Sequence, residues 1–154
     1  MKEKDFIGKK LVSMADGVQV GTVKDLIFQG LDLTALVVRG EHGEGLLPYK
    51  EIGTNGPDAI TIESYKLVDW NAGHSLQPDS RSSHDLRKLN FMDADGKLLG
   101  RIHDLTMDEV GHIQTMGVRT EGVFGLGSHE TVVPASSIRA LGSDMVTVDG
   151  KQKG

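Results

Sequence analysis

Three stretches of this 154-residue chain carry residue types whose spacing could do chemistry. The first is Asp93-Ala94-Asp95-Gly96, whose alternating carboxylates suggest a calcium loop. Such a loop needs a third oxygen ligand before its glycine and a closing glutamate. Neither is present, and the stretch reads instead as a hairpin turn, in which Asp-Gly supplies two residues tolerant of positive φ. The second is Gly122-Val123-Phe124-Gly125-Leu126-Gly127-Ser128, glycine-rich like a phosphate cradle. It has neither the lysine of a P-loop nor the G-x-G-x-x-G order of a dinucleotide site. A loop on the rim of a β-structure is the plainer reading, and it would display Val123, Phe124, Leu126 and, at its end, His129 to a partner. The third is the pair Asp25 and Asp104, which could act as acid and base if brought together. Their equivalent places in two repeated segments predict separation, and a structural hydrogen bond to a turn is the expected role.

The remaining chemistry is excluded more quickly. The six histidines, His42, His74, His84, His103, His112 and His129, form no H-x-x-H, H-x-x-x-H or H-E-x-x-H set, so no metal site is expected. There is no cysteine, which removes disulfides, iron–sulfur clusters and thiol nucleophiles, and no G-x-S-x-G elbow exists. The expectation is a non-enzymatic protein without catalytic residues, cofactor or metal.

The elements that would position these residues come in two copies. Met14-Ala15-Asp16-Gly17 leading to Asp25-Leu26 returns as Asp93-Ala94-Asp95-Gly96 leading to Asp104-Leu105. Lys9 pairs with Lys88, Gly21 with Gly100, Arg39 with Arg119, Pro48 with Pro134 and Ile52 with Ile138. Gly56, Asp58 and Thr61 then meet Gly142, Asp144 and Thr147. Turn residues recurring in one unbroken order mark a duplicated structural unit. The boundaries predicted are a first unit over 5–65, a linker over 66–85 and a second unit over 86–150.

Within each unit the pattern predicts short strands. Lys10 to Met14 ends at Asp16-Gly17, and a long strand follows from Val18 to Phe28. Among its apolar positions, Val20, Val23, Leu26 and Phe28, the steps from 20 to 23 and from 23 to 26 are odd, which a flat strand would send to opposite faces. A helix would also accept steps of three. Gly21 and Gly100 favour a bulged, curled strand, since glycine inside a strand commonly marks a bend. Leu36 and Val38, like Met116 and Val118, alternate inward along the next strand. Pro48 and Pro134 end a further strand, and one helical turn after each is expected to drop Ile52 or Ile138 into the core. Trp70 is expected to fold back onto the first unit.

Composition agrees with this architecture. Twenty glycines with 38% hydrophobic residues fit an all-β protein rich in tight turns. A net charge of −5 argues mildly against a general nucleic-acid binder, although Arg81, Arg87, Lys88 and the lysines at both termini could form a local basic edge. The charged N-terminus leads into no long apolar run, so a soluble, cytoplasmic protein without membrane association is expected. Each unit is small enough that its core alone is marginal, which predicts packing between units or self-association into a homo-oligomer.

The ordered set Asp16-Gly17, Gly21, Asp25-Leu26, Leu36 to Val38, Pro48 to Ile52 and Ile60 to Ile62 resembles the PRC-barrel domain. So does the second set: Asp95-Gly96, Gly100, Asp104-Leu105, Met116 to Val118, Pro134 to Ile138 and Val146 to Val148. The family takes its name from the cytoplasmic domain of the photosynthetic reaction centre H subunit, and also includes the C-terminal domain of a ribosome-maturation factor. The resemblance implies two small antiparallel β-barrels in tandem, each with a single helical turn after its proline. It further implies a docking role with a protein partner and no shared catalytic residues. The alternative it carries is an RNA or ribonucleoprotein-associated module in ribosome assembly or RNA processing.

Overall fold

The computed structural model describes residues 1–71, 78–120 and 129–149, and these divide into two units: Lys2–Ser83, and Met1 with the residues from His84 onward. In the first unit β1 (Lys10–Ser13), β2 (Val18–Gln29), β3 (Asp32–Gly40), β4 (Gly43–Pro48), β5 (Ile52–Asn55) and β6 (Ala59–Ile62) are hydrogen-bonded in the order β4-β3-β2-β1-β6-β5. A short β7 (Ser80–Ser82) adds to β2. The second unit repeats the scheme with β8 (Asn90–Met92), β9 (Leu98–Met107), β10 (Ile113–Thr120), β11 (His129–Pro134), β12 (Ile138–Leu141) and β13 (Met145–Val148), in the order β11-β10-β9-β8-β13-β12. The chain is therefore an all-β tandem of barrel-like domains. A single 3-10 turn follows each proline, Tyr49–Glu51 after Pro48 and Ala135–Ser137 after Pro134.

One feature of the expected architecture is corrected. The sheets are mixed, because β1 pairs in parallel with β6 and β8 with β13. Side-chain periodicity is blind to strand direction, and a parallel pair needs only a crossover long enough to return the chain. Here the strands and the proline-led turn between β1 and β6 supply it.

Matched bulges bend the two sheets at matched places. On β2, register skips over Val20 opposite β1 and over Lys24 opposite β3; on β9 it skips over Leu99 and His103. Thr34 and Gln114 are the extra residues on the facing strands, and Gly53 and Arg139 those on β5 and β12. Each bulge adds local twist and turns the strand. The Lys24 bulge also explains the odd apolar spacing, since Val23, Leu26 and Phe28 are all buried despite the step of three. Gly21 and Gly100 lie beside the bulges and serve a second need. A Cβ at Gly21 would lie 2.3 Å from the Arg39 carbonyl oxygen, and one at Gly100 would lie 2.1 Å from that of Arg119.

The two copies are offset by one residue in their first strand. Leu11 faces Gly21 and runs beside Ile60, whereas Phe91 faces Gly100 and runs beside Val146. Leu11 thus corresponds to Phe91, and Lys9 to the buried Leu89 rather than to Lys88. The missing residue comes out of the turn. In the first unit a four-residue loop, 14–17, closes with Gly17 N–H donating to Ser13 O at 2.9 Å; in the second, Asp93 and Lys97 flank only 94–96. Asp16-Gly17 and Asp95-Gly96 are consequently not two-residue hairpin turns, although Gly17 and Gly96 do take φ of +66° and +78°. Asp93 occupies the place of Ser13, is 5% exposed, and its Oδ1 accepts from the backbone N–H of Asp95 and Lys97 at 2.9 Å each.

The cores follow from this register. Leu11, Val23, Leu26, Phe28, Leu36, Val38, Leu47, Ile60 and Ile62 are buried in the first unit, and Phe91, Ile102, Leu105, Met107, Met116, Val118, Val133, Val146 and Val148 in the second. Each unit is also closed by a buried residue ahead of its first strand, Phe6 or Leu86, whose carbonyl accepts from Lys9 or Leu89. Phe6 meets Tyr49 edge-on at 6.3 Å between ring centroids. Ile52 and Ile138 are only half-buried, because the bulges at Gly53 and Arg139 turn the strands that carry them. Among the described residues no helix is long and apolar enough to cross a membrane.

Candidate functional site

A cavity of about 330 Å³ opens on the rim of the first unit, lined by Val18, Val20, Glu41, His42, Gly43, Glu44, Tyr65 and Trp70. Three large apolar side chains stay half-exposed in it: Val18 at 46%, Tyr65 at 47% and Trp70 at 40%. The β3–β4 hairpin forms one wall and the start of β2 the floor. The other wall is the segment after β6, and its position follows from local hydrogen bonds. A 3-10 turn at Tyr65–Leu67 is capped by Ser64, and Asp69 then bridges Leu46 on the outer edge of β4 with N–O distances of 2.8 and 2.9 Å. Val68 is buried by this bridge, and Trp70 lies against the backbone of the hairpin. A Cβ at Gly40 would come within 2.6 Å of the indole, and one at Gly45 within 2.8 Å, so these two glycines make the indole's seat.

Asp16 ties the turn to this wall. Its Oδ2 accepts from Ser13 Oγ at 2.5 Å and from the Tyr65 N–H at 3.0 Å. These bonds, with Lys66 nearby, hold the Asp16 carboxyl below the usual carboxylate range. Tyr65 is in this way positioned by a turn residue about fifty positions earlier.

A carboxylate clamped by two basic groups recurs beside each hairpin. Glu44 takes Lys24 Nζ and, at 3.2 Å, Arg39. Glu130 takes Arg119 and, at 3.2 Å, His103 Nε2. Lys24 and His103 are the corresponding bulge residues of β2 and β9. Hydrogen bonding, chiefly from Lys24, lowers the pKa of Glu44, and hydrogen bonding, chiefly from Arg119, lowers that of Glu130. A carboxyl whose folded pKa is depressed stabilises the fold above its unfolded value, about 4.3 for glutamate, and that contribution is lost as pH falls through the folded value. Thermal midpoints recorded across the acid range should therefore fall less steeply for Glu44→Gln and Glu130→Gln than for the parent. The difference should shrink in high salt, because both clamps face solvent.

The structure places the sequence-chosen residues unevenly. Asp16 and Gly17 do shape the site; Gly21, Pro48, Gly96, Gly100 and Pro134 act on the fold. Asp25 Oδ1 accepts from the adjacent Leu26 N–H at 2.7 Å, next to the Lys24 bulge, rather than from a turn. Asp104 occupies the matching place beside the His103 bulge of the other unit, so the two carboxylates belong to separate units. Val123, Phe124 and Leu126 lie outside the described residues; His129 is exposed at the start of β11, and its carbonyl accepts from Thr120 Oγ1 at 3.3 Å. Among the described residues no three His, Asp or Glu side chains gather as a metal group. Sequence reasoning did not single out Tyr65, Val18 or Glu44. The readable signal was Gly40 and Gly45, bracketing a hairpin ahead of the chain's single tryptophan.

No curated protein matches the chain. The PRC-barrel domain family matches it twice, over residues 1–68 and 78–153, in the places the two sheets occupy. Domains of this kind are in general modules for interaction with protein or RNA. Two matches spanning nearly the whole sequence settle the affiliation: the chain is a tandem member of the PRC-barrel family.

Proposed function

We propose that this protein is a non-enzymatic docking module that binds a protein partner through the rim groove of its first barrel. The observation that carries the reading is the half-exposed Trp70, held open beside Tyr65 and Val18 over a cavity of about 330 Å³. Solvent-facing tryptophan and tyrosine on a rigid frame are the side chains that dominate the energetics of protein interfaces. The groove's rim carries Glu41 and Glu44, whose two charges together balance Lys24 and Arg39, both paired with Glu44, which leaves no net positive charge there to attract a phosphate backbone. A protein partner therefore accounts for the site better than RNA does. The reading also takes the protein to act in the cytoplasm.

Affinity capture from the host's lysate, with and without ribonuclease, tests it. The expected result is a defined protein retained after nuclease and reduced at least about tenfold by Trp70→Ala, the loss typical of an interface anchor worth more than 1.4 kcal/mol. The variant should stay folded, because the indole is partly exposed and sits outside the sheet core. Retention that depends on intact RNA, or that ignores Trp70, would remove the groove from this role.

A further inference from the structure

Among the described residues the second unit leaves open an edge that the first unit closes, and the repeat itself supplies the template for what would close it. In the register of the two hairpins, Leu46 faces Val37 as Val132 faces Gly117. Backbone groups alternate in direction along an antiparallel pair, so Val132, like Leu46, turns its N–H and C=O away from the partner strand. Leu46 spends both on Asp69. Val132 has no such partner among the described residues, and its side chain is 66% exposed while Thr131 and Val133 on either side are buried. An exposed apolar residue with outward backbone groups on a sheet edge is a template for strand addition.

We infer that the β11 edge is a docking site for an extended segment of a protein partner, bridged at Val132 as Asp69 bridges Leu46. It is separate from the groove around Trp70 and does not depend on it. The chemistry of the occupant follows from the seats. In the first unit Val68 and Trp70 straddle Gly45, and Trp70 also covers Gly40. The corresponding positions in the second unit are Thr131 and Thr120, which carry side chains where the first unit has the two glycines. The segment that fits carries small side chains, alanine, serine or glycine, on either side of the bridging residue. Pro134, like Pro48, has no N–H to offer, which limits the pairing to a short stretch around Val132.

The chain's own template provides the probe. Two peptides spanning residues 64–71 are compared on the full-length protein by amide NMR, one native and one with alanine in place of both Val68 and Trp70. The alanine peptide should shift the Val132 amide and slow its hydrogen exchange about tenfold at saturation, the scale of one net hydrogen bond. It should bind more tightly than the native peptide. Thr120→Gly combined with Thr131→Gly should reverse that order by restoring the glycine seats. Val132→Pro removes the donor and should abolish binding; its fold is checked by thermal melting, and the glycine pair carries the test if proline is not tolerated. An unshifted Val132 amide, or an order unchanged by the glycine pair, overturns the proposal. So does concentration-dependent dimerisation that Val132→Pro abolishes, since the occupant would then be a second copy of the chain.

Discussion

Gly100→Ala is expected to unfold the second barrel, or to leave it unfolded at ordinary temperature. Two independent costs meet at this position. Its φ of +111° lies where side-chain-bearing residues are rare, a strain of about 1–3 kcal/mol. The added methyl would sit 2.1 Å from the Arg119 carbonyl oxygen and 2.4 Å from its carbon, both backbone atoms that cannot rotate away. Overpacking of this sort costs about 1–3 kcal/mol more. The total, roughly 2–6 kcal/mol, is comparable with the whole stability of a domain this small. Gly21→Ala meets the Arg39 carbonyl at 2.3 Å without the positive φ, so it should cost less. Urea denaturation of the two variants checks the order. Equal losses would mean that backbone strain contributes nothing at Gly100.

Phe91→Ala should cost about 3–5 kcal/mol, the range for truncating a fully buried aromatic residue. The neighbouring Asn90→Ala should stay within about 1 kcal/mol, since Asn90 is only half-buried and its side chain is not part of the apolar core. The contrast tests the one-residue offset between the copies. An ungapped alignment places Asn90 at the position of the fully buried Leu11, whereas the register places Phe91 there. A large loss at Asn90 and a small one at Phe91 in the same urea series would contradict that register.

Much of the fold was legible because turns and glycines carry local, directional constraints. Pro48 and Pro134 stopped their strands where expected, and Gly21 and Gly100, rather than the apolar spacing alone, correctly announced bulged strands. Strand direction was not legible, because β1 and β6 alternate in the same way whether they run parallel or antiparallel. Nor was the offset, since deleting one residue within a turn leaves Asp-Gly matched while every residue upstream shifts. The 3-10 turn that buries Phe6 carries no periodicity to detect. The region of the site was partly legible: Trp70 does return to the first unit, and the glycine pair that seats it was visible. The bond from Asp16 to the Tyr65 N–H was not, because it joins residues brought together only by the sheet.

The segment 66–85 illustrates the same limit. Its polar centre reads as a linker, yet Val68 and Asp69 join the edge of β4, and Ser80–Ser82 pair with β2 between Ile27 and Gln29. Short stretches like these owe their order to the strand they meet rather than to their own composition.

Docking at the groove around Trp70 is the central claim, and site-specific photocrosslinking in the native host tests it most directly. A photoreactive residue in place of His42, whose side chain is 91% exposed on the rim, is compared with one in place of Val110, exposed in the second unit. A discrete protein adduct at position 42 that is absent at position 110 and lost with Trp70→Ala is the predicted result. Adducts to RNA at position 42, or the same adducts at both positions, would contradict it.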